Sequence, residues 1–254
     1  MKKFVPVLLF LLFVLMTLYY IQEKVWRISD FLMIESRSPR NAQQFTFEDN
    51  FLTKEECAKL SSFIQQHPRM AESDLGEQFK GTYGFQFTFR DASVKYDVKN
   101  LKKMTNVELE PIYDLYKKIK IPGTNACLFN PLLINTSTDP NVEGSTANPH
   151  YDVTLGVSRF TRRVTPVYTT VIYIEVPDEF EWGRLAVSKL CKSHSDNFVY
   201  IRPKVGRKVT FRGDSYHFVE PMFSKTPQKR ISLVFEQYKL TAEEIDKYAQ
   251  IDIV

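Results

Sequence analysis

The sequence predicts a mainly β domain, a jelly roll or barrel, with helices on its N-terminal side and one hydrophobic membrane segment ahead of it. Three observations point there. From Ala126 onward, short β-rich runs follow one another with turn residues between them. Aromatics are abundant, with 20 Phe and 13 Tyr in 254 residues. An uncharged apolar run fills residues 4–22.

That run (FVPVLLFLLFVLMTLYYIQ) is long enough to cross a hydrocarbon core of ~30 Å. Lys2 and Lys3 precede it, so residues 1–3 form a short tail. The run ends Leu-Tyr-Tyr-Ile, a poor cleavage site and a good interfacial anchor, so it reads as an uncleaved signal-anchor. Residues 23–43 mix charges with short apolar pieces and read as a stalk or linker, and the folded domain is expected over residues 44–240. Thr53-Lys-Glu-Glu56 is a capping box opening a helix to about Gln66, with Cys57, Leu60, Phe63 and Ile64 on one face. A second helix is expected over 106–118, stopped by Pro122-Gly123. Between them, residues 81–89 alternate as a strand. Further strands are expected over 127–134, 167–176, 184–190, 198–201, 208–211, 217–219 and 230–238, and a last short helix lies in the tail 241–254.

The net charge of +4 is small and dispersed, so nucleic acid is not an expected partner. Cys57, Cys127 and Cys191 lie far apart, which excludes a disulfide framework and disfavours structural zinc; one disulfide with one free thiol stays open. Oligomeric state is not encoded in any readable pattern.

Chemistry concentrates in few residues. Of four histidines, one stands in His150-Tyr-Asp152, and strand parity projects residues i and i+2 from one face. His217 opens a later strand. Two histidines and a carboxylate on one side of a metal form the facial triad of non-haem Fe(II) oxygenases, with open positions for cosubstrate and O2. Arg230-Ile-Ser232 repeats the parity argument: a guanidinium inside a barrel needs an anion, and a dicarboxylate supplies one. His194 reads as a surface residue, His67 as a partner for the first helix's C-terminal dipole, and Arg159, Arg162 and Arg163 as a solvated basic cluster, with an acidic substrate as the minority reading.

The ordered elements His150-Tyr-Asp152, Thr169-Thr-Val-Ile-Tyr173, Trp182-Gly183-Arg-Leu185, Pro203-Lys-Val-Gly206, His217 and Arg230-Ile-Ser232 resemble the 2-oxoglutarate/Fe(II)-dependent oxygenases, in particular the prolyl 4-hydroxylase-like branch, over about residues 45–240. The resemblance implies a double-stranded β-helix and a dioxygenase that hydroxylates its substrate. It implies iron ligation by His150, Asp152 and His217, and a 2-oxoglutarate carboxylate on Arg230, helped by Tyr173 and Ser232. Fe(II), 2-oxoglutarate and O2 are then required, with ascorbate left open, and a peptidyl proline or lysine is the expected substrate. This chain has Trp182-Gly183 where the family has paired glycines, Arg230 where the collagen-type enzymes have Lys, and a longer interval from His217 to Arg230, which suggests a hairpin around 223–229. These departures bear on substrate rather than on iron. An oxygenase acting on a lipid or small molecule, and a non-catalytic binding barrel, remain as alternatives. Lys2 and Lys3, together with the sequon Asn135-Thr-Ser137, lead to a single-pass protein with its domain in the lumen of the endoplasmic reticulum or Golgi.

Overall fold

A computed structural model of the chain describes residues 16–17, 34–39, 43–71, 82–90, 109–141, 144, 146–152, 163–188 and 197–244. The chain divides into two units. One comprises residues 1–35 and 153–164, and in it β1 (Ile34–Glu35) pairs in parallel with Arg163–Val164. The other carries everything that follows. Apart from Met16 and Thr17, the apolar segment 4–22, expected to be an anchor, lies outside the described residues, as do His194, Cys191, Arg159 and Arg162. No helix among the described residues is long and apolar enough to cross a membrane.

In chain order the second unit contains β2 (Phe45–Glu48), α1 (Lys54–Gln65), a 3-10 turn (Pro68–Ala71), β3 (Thr82–Gly84), β4 (Phe87–Arg90), α2 (Glu110–Ile119), β5 (Ala126–Asn135) and β6 (Ala147–His150). With Arg163–Val164 counted as β7, there follow β8 (Tyr168–Glu175), β9 (Glu181–Trp182), β10 (Leu185–Ser188), β11 (Phe198–Ile201), β12 (Lys208–Arg212), β13 (His217–Val219), β14 (Met222–Phe223) and β15 (Lys229–Tyr238).

Among the described residues, two large antiparallel sheets result, beside a small antiparallel pair of β9 with β14. The larger runs β2-β12-β8-β15-β5-β3, with β4 also on β5; the smaller runs β11-β10-β13-β6. From β5 on, the chain passes back and forth between the sheets, the order of a jelly roll. The inner faces meet in one cluster: Val171, Tyr173, Val209 and Phe211 from the larger sheet pack with Leu185, Val187 and Ile201 from the smaller. Ile172 and Ile174 of β8, with Leu233 and Phe235 of its neighbour β15, point the other way and pack against the helices.

Both helices bury one stripe. Thr53 accepts from the Glu56 amide at 3.1 Å while Glu56 accepts from the Thr53 amide at 2.8 Å, so the capping box forms as expected. Cys57, Leu60 and Ile64 are buried beneath α1, with Phe63 at the edge of the cluster. In α2, Ile112, Leu115, Tyr116 and Ile119 do the same. This helix opens at Glu110, where Pro111 needs no amide partner, and the expected residues 106–108 lie outside the described ones.

Three local readings change. The run 81–89 is two strands rather than one, broken at Phe85-Gln86, where Phe85 turns inward. His67 is no dipole partner: its ring is buried, stacked at 4.0 Å on Phe85. Burial first, then Arg69, lowers its pKa, so the neutral ring belongs to the aromatic core. Asn135, just past the expected strand 127–134, is the exposed last residue of β5, opposite Lys229. Cys57 and Cys127 are buried free thiols.

One glycine is indispensable to this packing. Gly206 has φ +77, and a Cβ on it would lie 2.4 Å from the Leu52 carbonyl oxygen. Its amide donates to the Tyr173 carbonyl at 2.8 Å, so the turn cannot retreat. Gly206→Ala is expected to cost ~2–4 kcal/mol through strain and a backbone clash. Thr53→Ala, losing only a cap, costs ~1 kcal/mol. Urea unfolding of both variants checks the ranking; an equal or smaller loss for Gly206→Ala would contradict it.

Candidate metal and anion site

The smaller sheet brings the expected metal ligands together. His217 opens β13 and pairs with His150 at the end of β6, so the two imidazoles lie side by side, centroids 4.3 Å apart. Asp152 lies two residues beyond the end of β6, not within a strand as parity assumed, yet its carboxylate turns to the same point. Its Oδ1 stands 3.6 Å from His150 Nε2 and 3.5 Å from His217 Nε2. One nitrogen from each ring and one carboxylate oxygen lie within 4.8 Å of one another.

Backbone carbonyls orient both rings. His150 Nδ1 lies 2.6 Å from the Asn148 carbonyl, and His217 Nδ1 lies 3.0 Å from that of Ser215. A carbonyl only accepts, so each Nδ1 carries a proton, and each Nε2 faces Asp152 Oδ1. The second carboxylate oxygen is held as well: Thr169 on β8 donates to Asp152 Oδ2 at 2.5 Å. Phe211 of the opposite sheet packs against His217 at 4.9 Å.

The electrostatics fit a cation. Burial alone would raise the pKa of Asp152, but His217, His150 and the Thr169 hydroxyl overcome it and hold the carboxyl well below its ordinary value. Burial lowers His217. In His150 burial is the largest single influence, but the Asp152 hydrogen bond and charge and the Asn148 carbonyl together outweigh it, and its pKa rises. The set thus keeps one anionic and two imidazole donors in a buried corner, the donor types that suit a first-row divalent metal.

Arg230, Ser232 and Tyr173 assemble on the larger sheet. Ser232 is the cross-strand partner of Tyr173, and the Arg230 guanidinium lies 5.8 Å from the Tyr173 ring centre. Arg230 is 2% exposed. Its Nη1 donates to the Gly183 carbonyl at 2.8 Å, while its Nε is buried with no partner. No carboxylate among the described residues forms an ion pair with it. Burial pulls its pKa below the ordinary arginine value, and Tyr173 opposes that pull. A buried cation without a counter-ion is costly, so the arrangement calls for an anion from outside the chain. Lys229, the neighbouring cation, is half-exposed and bonds Gln65, with the Glu175 carboxylate 3.9 Å away.

No protein-family model matches the sequence, and no curated protein matches it. Among solved structures, a Pseudomonas putida prolyl-4-hydroxylase aligns over 79% of this chain and 95% of its own, at 14% identity and a TM-score of 0.47. A Trichoplax adhaerens prolyl hydroxylase in complex with a hypoxia-inducible-factor peptide fragment aligns over 87% and 93%, at 13% identity and a TM-score of 0.42. IDO from Bacillus thuringiensis aligns over 77% and 92%, at 12% identity and a TM-score of 0.48.

Two groups in the site had no role assigned from sequence. Thr169 stood in the motif only as its first letter; its parity with Tyr173, four residues on, was the signal that it faces inward. The Gly183 carbonyl leaves no sequence signal at all. Thr169→Val removes the bond to Asp152 at nearly constant volume. It should weaken Mn(II) binding by about tenfold, the lower end for loss of a ligand-orienting hydrogen bond. Titration of Mn(II) followed by electron paramagnetic resonance checks this; unchanged affinity in a folded variant would show that Thr169 does not orient the carboxylate.

Proposed function

We propose that the protein is a 2-oxoglutarate- and Fe(II)-dependent dioxygenase that hydroxylates a peptidyl proline or lysine. The observation that carries the reading is the convergence of His150 Nε2, His217 Nε2 and Asp152 Oδ1 on one point, with both Nδ1 atoms turned to backbone carbonyls. The buried Arg230 without a counter-ion supports the dicarboxylate. The passage of strands between two sheets supports the double-stranded β-helix.

When bound, Fe(II) would supply O2 activation coupled to oxidative decarboxylation of 2-oxoglutarate to succinate and CO2, one oxygen atom entering succinate and the other the hydroxylated substrate. The chain's own residues bind and orient. His150, Asp152 and His217 hold the metal from one side and leave the other side for cosubstrate and O2. Thr169 fixes the plane of the Asp152 carboxylate. Arg230 receives the distal carboxylate, with the Ser232 and Tyr173 hydroxyls in the same stretch of barrel. Phe211, Val187 and Val209 exclude water from the interior. The peptide substrate rests on the motif resemblance over residues 45–240. Tethering through 4–22, with the domain in the lumen, rests on the apolar run and its flanking lysines.

Asp152→Ala should abolish succinate release. Arg230→Ala should raise the 2-oxoglutarate requirement about tenfold to a hundredfold, since a charged hydrogen bond is worth ~1.5–3 kcal/mol. Tyr173→Phe should cost less. Turnover with candidate peptides should add 16 Da, the mass of one oxygen atom. Full succinate production by Asp152→Ala would sink the assignment. Protease protection in sealed microsomes tests the lumenal placement: digestion of the domain without detergent would refute it.

A further inference from the structure

The only hydrogen bond found for the Arg230 side chain among the described residues comes from an unusual turn. Trp182 has φ 60 and Gly183 has φ 66, so two consecutive residues lie in the left-handed region. Glycine adopts that conformation freely, whereas for a bulky side chain it is an outlier held by its surroundings. Here the surroundings are visible. The Gly183 amide donates to the Pro221 carbonyl at 2.8 Å, and Trp182 pairs with Met222. Arg184 forms a two-pronged bond to Glu220, at 2.7 Å from both Nε and Nη2. A Cβ on Gly183 would meet the Met222 side chain at 2.9–3.1 Å, so Met222 occupies the space that a side chain at this position would need.

All these anchors, residues 220–222, directly follow β13, the strand that begins with His217. The turn therefore ties the Arg230 guanidinium to the strand of a metal ligand, although Arg230 itself stands on the other sheet. The Gly183 carbonyl takes Nη1, and the Nε side of the fork is left with a buried, unpartnered N–H. One side of a planar five-donor fork is thus blocked and the other presented, which suits a single two-oxygen carboxylate.

We propose that the left-handed turn at Trp182–Gly183 is a positioning device that gives the site its selectivity for a 2-oxo dicarboxylate over a 2-oxo monocarboxylate. It acts through the backbone, by holding the Gly183 carbonyl on Arg230. The inference rests on the proposed oxygenase reading, in which Arg230 receives the distal carboxylate. Its requirement at position 182 is for a positive φ, so the indole itself is dispensable to cosubstrate binding.

Calorimetric titration of the full chain, loaded with Mn(II) in the absence of O2, tests this with 2-oxoglutarate and with pyruvate, which lacks the distal carboxylate. Trp182→Val, whose β-branched side chain resists positive φ, should weaken 2-oxoglutarate binding about tenfold and leave pyruvate binding unchanged. Trp182→Gly should bind both as the unmodified protein does. If Trp182→Val does not fold, Trp182→Ala carries the same comparison with a separation of about threefold. Equal weakening of both acids would mean a merely structural turn and overturn the proposal, as would an unchanged ratio. If the unmodified protein itself does not prefer 2-oxoglutarate to pyruvate, the underlying assignment of Arg230 fails instead.

Discussion

Everything in the domain depends on two strands that are buried on both faces. β8 and β15 pair with each other and each has a further neighbour, so neither has a free edge. Their pleat sends successive side chains in opposite directions. On one side Ile172, Ile174, Leu233 and Phe235 close the core under the two helices. On the other, Thr169, Val171, Tyr173, Arg230, Ser232 and Val234 turn toward the smaller sheet. One backbone thus supplies both the stability of the fold and half of the site. A polar residue on the inner face is tolerated only where something satisfies it: Thr169 has Asp152, and Arg230 has the Gly183 carbonyl with a place left over.

The smaller sheet works by juxtaposition. β6 and β13 bring His150 opposite His217, and the two rings would repel if both were protonated. The carboxylate between them and the carbonyls behind them hold the two rings in place. That arrangement is stable enough to persist and incomplete enough to attract a cation. Each sheet therefore ends in an unmet electrostatic demand, for a metal on one and for an anion on the other. In the proposed function, a chelating, anionic cosubstrate would answer both demands.

Much of this was legible in the chain. The apolar runs of β5, β8 and β15 announce buried strands, the capping box announces α1, and the triad is visible as His150-Tyr-Asp152 followed by His217. Arg230 and Ser232 follow from parity alone. Other features depend on tertiary packing and have no local signature. Phe45–Glu48 alternates like a strand, but only its pairing with β12 makes it the edge of the larger sheet. The two-residue pair β9 and β14 is too short for any periodicity to show. A histidine at a helix end reads as a surface cation until the phenylalanines that bury His67 are in place. The left-handed Trp182 runs against its own propensity, and only the segment 220–222 across from it reveals what holds it.

The most direct measurement is crystallographic: anomalous scattering at the iron edge from crystals of the folded domain, grown without O2 and soaked with Fe(II) and 2-oxoglutarate. The account predicts one iron peak bounded by His150 Nε2, Asp152 Oδ1 and His217 Nε2, with the distal carboxylate of 2-oxoglutarate on the Nε side of Arg230. Iron bound elsewhere, or a cosubstrate that leaves Arg230 without an anion, would contradict it.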